Sequence, residues 1–237
     1  MRPVHKACSI LVGLVAVATI LSGCQSLGPT RPNEHLIVDL VDEFSLDQPS
    51  DSWLLTTPDS WQIRSDGQRR FLHLAPLPAG HDERQRDLES AIHRKYRFRS
   101  FSFSAWLRLD RAVGNRPCNA SMLFGWQDDG NCLRLDLSDL AGTPDVAIVQ
   151  VANGHVTRLA TATLSSRPDF TRQQWHQIGI LRNLETTAVD VYIDEADKPL
   201  VQAKTTAHEW GSLGFASTTG GAAFGRVMIS GEASPAQ

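Results

Sequence analysis

Two cysteines, one histidine and two acidic turns are the first places to look for chemistry in this chain of 237 residues. The spacing of Cys118 and Cys132 leaves two outcomes open, a disulfide between them or two separate thiols. No Cys-x-x-Cys or His-x-x-His spacing accompanies them, which argues against a metal centre. His176, next to Trp175, has the side chain of a general base. No carboxylate or nucleophile stands at a readable sequence distance from it, so a hydrogen-bonded framework histidine is expected. The turns Asp128-Asp129 and Asp194-Glu195-Ala196-Asp197 offer oxygen ligands of the type calcium takes, although acidic turns are ordinarily just solvated. Gly-x-Ser-x-Gly, P-loop, dinucleotide and zinc-binding patterns are missing. The expectation is no cofactor, with calcium the one ion the turns could hold.

The elements that must position these residues read as strands. Beyond residue 36 the chain is a succession of short runs with period-two alternation, broken by turn residues. The clearest run puts Phe101, Phe103, Ala105, Leu107 and Leu109 on one face, and Ser102, Ser104, Trp106 and Arg108 on the other. Ser121–Trp126 and Leu133–Ser138 flank Asp128-Asp129-Gly130-Asn131, a strong hairpin signal. A two-residue turn there would pair Trp126 with Leu133, Phe124 with Leu135 and Met122 with Leu137, all apolar. Leu123, Gly125, Arg134 and Asp136 then share the opposite face. That register points Cys132 to the Arg134 face, while Cys118 has the parity of Met122. Further hairpins are expected at 146–161, 175–193 and 214–230, and earlier at 61–74. The one helical candidate is a turn or two near Glu83–Leu88. About a dozen strands without crossover helices predict an all-β fold, two antiparallel sheets stacked as a sandwich or jelly roll.

The N-terminus reads differently. Arg2, His5 and Lys6 form a positive head, and Ile10–Leu21 is a run of 12 uncharged, mostly apolar residues. That run is too short to span a bilayer and has the proportions of an export signal. Its closing tetrad, Leu21-Ser22-Gly23-Cys24, resembles the lipobox of bacterial lipoproteins. The resemblance implies that residues 1–23 are removed and that Cys24 carries the lipid, placing the protein in the cell envelope with a membrane partner. Gln25 after the cysteine implies the outer membrane in a Gram-negative host. Residues 24–35 read as a flexible lipidated tether, 36–232 as the sandwich domain and 233–237 as a tail. Loss of Arg2 and Lys6 leaves 21 basic against 26 acidic residues, a mature charge of −5. An acidic body argues against a nucleic-acid partner. The basic cluster Arg94, Lys95, Arg97, Arg99 follows Asp82, Glu83, Asp87 and Glu89, and reads as a charge-compensated edge.

Three segments together resemble the concanavalin A-like lectin/glucanase sandwich, in its laminin-G-like and 3-keto-disaccharide-hydrolase-like branches. They are Phe101 to Asp110, Phe124 to Asp136, and Trp175-His-Gln-Ile ending in Val191-Tyr-Ile-Asp194. Gly211 to Phe215 and Phe224 to Ile229 also fit. The chain departs from that pattern at Gly225 and Arg226, where such domains often carry Asp-Asn. The resemblance implies a bent sheet across which a glycan lies. Sugar recognition needs an aromatic plate and nearby fixed polar groups. Trp106, Arg134 and Asp136 are the expected ligand surface. The plainer expectation keeps Trp106 under a loop and Arg134–Asp136 as a surface ion pair. Trp126 and Trp175 are expected in the core, while the directions of Trp53, Trp61 and Trp210 are not legible. Retaining glucanases of this superfamily carry Glu-x-Asp-x-x-Glu or Glu-x-Asp-x-Glu, with the acid and nucleophile about 5 Å apart. No such run exists here. The resulting expectation is a carbohydrate or cell-envelope ligand bound without catalysis, so no catalytic residue is assigned. The alternatives are a glycoside-cleaving enzyme of the 3-keto-disaccharide type and an envelope adhesion or assembly protein.

Overall fold

The computed structural model describes residues 35–76, 88–110, 118–140, 143–163, 173–194 and 196–236. Cys24, the export run and the tether up to residue 34 lie outside these residues, as does the helical candidate at 83–88 apart from Leu88. Alternation dominates what remains, and the described residues form fifteen strands joined by turns and one short 3-10 turn, Pro58–Ser60. The strands are β1 (Leu36–Asp42), β2 (Trp53–Leu55), β3 (Trp61–Ser65), β4 (Arg70–Leu74), β5 (Glu89–His93), β6 (Tyr96–Leu109), β7 (Asn119–Asp128) and β8 (Asn131–Leu140). They continue with β9 (Thr143–Ala152), β10 (His155–Thr163), β11 (His176–Asn183), β12 (Ala188–Ile193), β13 (Val201–Lys204), β14 (Ser212–Ser217) and β15 (Ala222–Pro235). Sheet A runs β13-β12-β11-β6-β15-β4-β3, with β1 also on β15, and sheet B runs β10-β9-β8-β7-β14-β5-β2. The strand pairs are antiparallel, and the two sheets make the expected all-β sandwich.

The core lies between the sheets. The predicted inner face of β6 is buried throughout, with Phe103 and Leu107 at 0% exposure. It meets Met122, Phe124, Leu133, Leu135 and Leu137 from sheet B in one apolar cluster. Phe215 and Phe224 stack across the middle with ring centroids 4.3 Å apart. Trp53 and Trp61 also belong to this cluster.

The expected register of the β7–β8 hairpin fails, and the failure shapes the site. The predicted pairing holds only beside the turn, at Asp128 with Asn131. Beyond it the register slips by two, pairing Phe124 with Leu133 and Met122 with Leu135, so that three residues of β7 face the single Cys132. The cause is Gly125, whose φ of +58° is open to glycine and strained for other residues. The bulge turns Trp126 out of the core, and it packs instead with Ile92, Leu123 and Ala216, and with Cys132, Val149 and Val151, on the outer face of sheet B. At the other end, β15 continues to Pro235, past the expected domain limit at 232.

Candidate functional site

The two sheets separate the residues expected to share a ligand surface. Trp106 stands on the outer face of sheet A, whereas Arg134 and Asp136 stand on the outer face of sheet B. They cannot contact one ligand together. The sequence reveals in–out alternation along each strand, but not which sheet each strand joins.

On sheet A, Trp106 is already covered. The Arg69 guanidinium lies 4.4 Å above its ring and 5.2 Å from the ring of Trp175. Arg108 sits 4.7 Å from Trp175 on one side and 5.0 Å from Phe71 on the other. Rings and cations thus alternate in a single ladder, each contact favourable through the negative face of the ring. Carboxylates close its sides. Asp66 accepts the Trp175 indole N–H at 2.8 Å, and Asp110 accepts Arg108 at 2.9 Å and bonds the His73 ring at 2.8 Å. Burial alone would raise the Asp110 carboxyl, but these two partners hold it below its ordinary value. Trp175, expected in the core, is a half-buried rung of this outer ladder.

On sheet B, cross-strand neighbours build rows of side chains. One row carries Val156, Val151, Cys132 and Trp126. The next carries Arg158, Val149, Arg134, Leu123 and Ile92, and a third Ala147, Asp136, Ser121, Ala216 and Ser90. The floor is apolar and tightly packed. On it stand the half-buried Trp126 indole, whose N–H reaches Asp129 at 3.3 Å, and a fixed polar group. Ser121 donates to Asp136 at 2.7 Å, and Arg134 Nε lies 3.0 Å from the same carboxylate. Trp126 lies in the bulge opposite Cys132, two residues from Arg134 along β8, so the indole and the polar group are roughly 7 Å apart at the usual strand rise. Asn119, Ser121, Arg134, Asp136, Ser138, Arg158 and Thr218 line an open cleft of about 150 Å3 at the polar end. Of the residues expected to share a surface, Arg134 and Asp136 are therefore together, and the tryptophan on their face of the sheet is Trp126, with Trp106 on the other sheet. A glycine inside an otherwise regular strand was the available signal for the bulge.

A larger hollow of about 680 Å3 opens at the edge where β2 passes to β3, bounded by 47–51, Pro58–Ile63 and Arg94. Trp53 and Trp61 contribute to its floor but are only 6% and 3% exposed, so it offers no aromatic plate. Its rim is tied internally, Arg70 to Asp47 and Arg94 to the Asp51 carbonyl.

The remaining candidates have local explanations. Cys118 lies in the inner core and donates to the Asp110 carbonyl at 2.6 Å, while Cys132 lies on the opposite face of sheet B, so the two thiols are not bridged. Burial pushes the Cys132 thiol up to about 11, an unreactive thiol. His176 does have a carboxylate, Asp194 at 2.7 Å, which also accepts the Gln177 N–H and so locks the β11–β12 end. Asp128 is engaged by Gly130 N–H and Asn131, and Glu195 lies outside the described residues. Among the described residues, no three His, Cys, Asp or Glu side chains gather as a metal site. Arg97 reaches the Trp210 carbonyl and Arg99 pairs with Glu209 and Glu232, so these two arginines are engaged by residues distant in sequence.

No family model matches the chain, and no curated protein does. Solved structures match the fold. The carbohydrate binding module CBM66 from Bacillus subtilis aligns with a TM-score of 0.55 at 10% identity, over 76% of this chain and 95% of that one. A glycoside hydrolase family 16 endo-glucanase from Bacteroides ovatus gives 0.60 at 12% identity, over 80% and 99%. A Bacillus subtilis protein with a galectin-like fold gives 0.57 at 11% identity, over 85% and 98%. The architecture is a two-sheet antiparallel β-sandwich of the jelly-roll type, shared with these structures.

Proposed function

We propose that this chain is a lipid-anchored protein of the cell envelope whose sheet B outer face binds a carbohydrate without catalysing a reaction. The observation that carries the reading is the shared surface of Trp126 and the Ser121–Asp136–Arg134 group. An indole on an apolar floor suits the non-polar face of a pyranose, and donors and acceptors fixed by their own hydrogen bonds suit its hydroxyls. Fixed groups lose little freedom on binding, which favours affinity. The fold is shared with proteins described as carbohydrate-binding and with glucanases. A retaining mechanism needs two carboxyl groups about 5 Å apart, and the described residues of the cleft supply Asp136 alone, already engaged by Arg134 and Ser121.

The anchor rests on the tetrad ending at Cys24, and mass spectrometry of the mature N-terminus tests it by the presence of acyl chains. A glycan array together with sedimentation on cell-wall material tests the ligand. Retention should be lost in Trp126→Ala and in Asp136→Ala. No retention of the native chain on either support, or retention unchanged in both variants, would overturn the reading.

A further inference from the structure

The inner face of β11 carries Ile178, Ile180 and then Arg182, an arginine where the alternation calls for an apolar residue. Arg182 is 1% exposed and sits against Phe101 in the neighbouring strand. Desolvating a guanidinium is expensive, and it is normally offset by a carboxylate partner. Here it donates to two backbone carbonyls, from Nη1 to His208 O at 2.9 Å and from Nη2 to Ala207 O at 2.7 Å. Burial accordingly pulls its pKa down to about 10.

Those carbonyls belong to a segment closing the end of the sandwich behind Trp126. The His208 backbone is left-handed, at φ +50°, and its ring bonds the Val151 carbonyl at 2.7 Å. A side chain begun at Gly125 would meet His208 O at 2.8 Å and Arg182 Nη1 at 3.0 Å. On its other side Gly125 is pressed by Gly211, where an added Cβ would lie 2.1 Å from the Gly125 carbonyl carbon. The Gly125 bulge is therefore held between Gly211 and the Arg182–His208 contact.

We infer that Arg182 is a positioning residue for the ligand face: from inside the sandwich it fixes the 207–208 carbonyls, and these hold the bulge that turns Trp126 outward. The inference deepens the carbohydrate reading, since it states what aims the aromatic plate.

The test is 19F NMR of the chain labelled with 5-fluorotryptophan, with the Trp126 resonance assigned through Trp126→Phe. In Arg182→Met the melting temperature should fall, because the Ala207 and His208 carbonyls lose their donor, while the resonances of the other five tryptophans should stay in place. The Trp126 resonance should shift or split, and acrylamide quenching of its emission should change by about twofold as the indole samples a second orientation. Arg182→Lys, which can hold one carbonyl and not the fork, should move it less. An unmoved Trp126 resonance in folded Arg182→Met overturns the inference, and should that variant not fold, an unmoved resonance in Arg182→Lys does so. No sugar is needed for this measurement. A Trp126 that moves while neither protein binds any glycan would sink the carbohydrate reading and leave the positioning role standing.

Discussion

Among the described residues the outer faces of both sheets carry tryptophan, yet cations stack on Trp106 and Trp175 of sheet A and none stacks on Trp126 of sheet B. On sheet A, Arg69 and Arg108 have inserted between Trp106, Trp175 and Phe71, leaving Phe71 and His73 only 3% and 2% exposed. On sheet B, Trp126 packs against an apolar floor, with no cation stacked on its ring among the described residues and a polar cluster further along the same face. The side-chain types are nearly the same, aromatic, arginine and aspartate. What differs is whether the chain's own cations already occupy the rings. A partly exposed indole marks a ligand surface only where its face is vacant.

The largest effect expected is at the contact that creates the sheet B arrangement. Gly211→Ala drives a methyl group into the Gly125 backbone, where no flexible side chain can yield. The loss should reach about 4 kcal/mol or more, the range reserved for backbone clashes and core disruption. Denaturant unfolding measures it, and a loss below about 1 kcal/mol would mean that the two strands part easily and the bulge is not enforced.

Next come the two tryptophans themselves. Trp106→Ala should reduce stability by about 2 kcal/mol through lost ring–cation contacts and packing, with glycan affinity unchanged. Trp126→Ala should weaken glycan retention more than about tenfold, near 1.4 kcal/mol, for a comparable loss of stability. Titration calorimetry and thermal melts on the pair separate the faces. Equal loss of binding in both variants would erase the distinction drawn between them.

That distinction was only half legible in the sequence. Strict alternation from Phe101 to Leu109 announced β6 and its inner face, and Asp-Gly and Asn-Gly turns announced the hairpins. Arg134 and Asp136 could be placed on one face because nothing interrupts β8. Trp126 could not, since an apolar pairing scheme with the wrong register looked equally complete, and only Gly125 hinted at the bulge. Sheet membership was hidden for a deeper reason. Alternation fixes orientation within a strand, whereas the order of strands depends on long-range pairing such as β6 with β15. Arg69 covering Trp106 is likewise a contact between residues far apart in the chain.

A smaller effect sharpens the reading of sheet A. Arg69→Met keeps the length and apolar stem of the side chain but removes the charge between the two indoles. The change should lower stability by about 1 kcal/mol, the usual scale of a partly exposed ring–cation contact. It should also raise acrylamide access to Trp106 and Trp175 without altering glycan retention. New glycan binding by this variant would be informative in the other direction, showing that Arg69 alone keeps sheet A closed.

The smallest effect concerns acid. Asp110 and Asp66 both have carboxyls held below the ordinary value of 3.8, Asp110 by His73 and Arg108 against its own burial, and Asp66 by backbone N–H groups and the Trp175 indole. A depressed folded-state pKa means that the ionised form is the one the fold favours. The stabilisation is therefore complete above pH 3.8 and is lost as pH falls from there through the folded-state values. Protonation removes the negative charge that Arg108 and the Trp175 indole bond to and weakens both contacts, so the ladder should loosen before the sandwich melts. Hydrogen exchange at β4 and fluorescence of Trp175 should respond first on acidification, while the Trp126 resonance stays in place. Asp110→Asn should flatten that acid limb. If Trp126 responds together with Trp175, the two faces are one cooperative unit, and the independence assumed in comparing them does not hold.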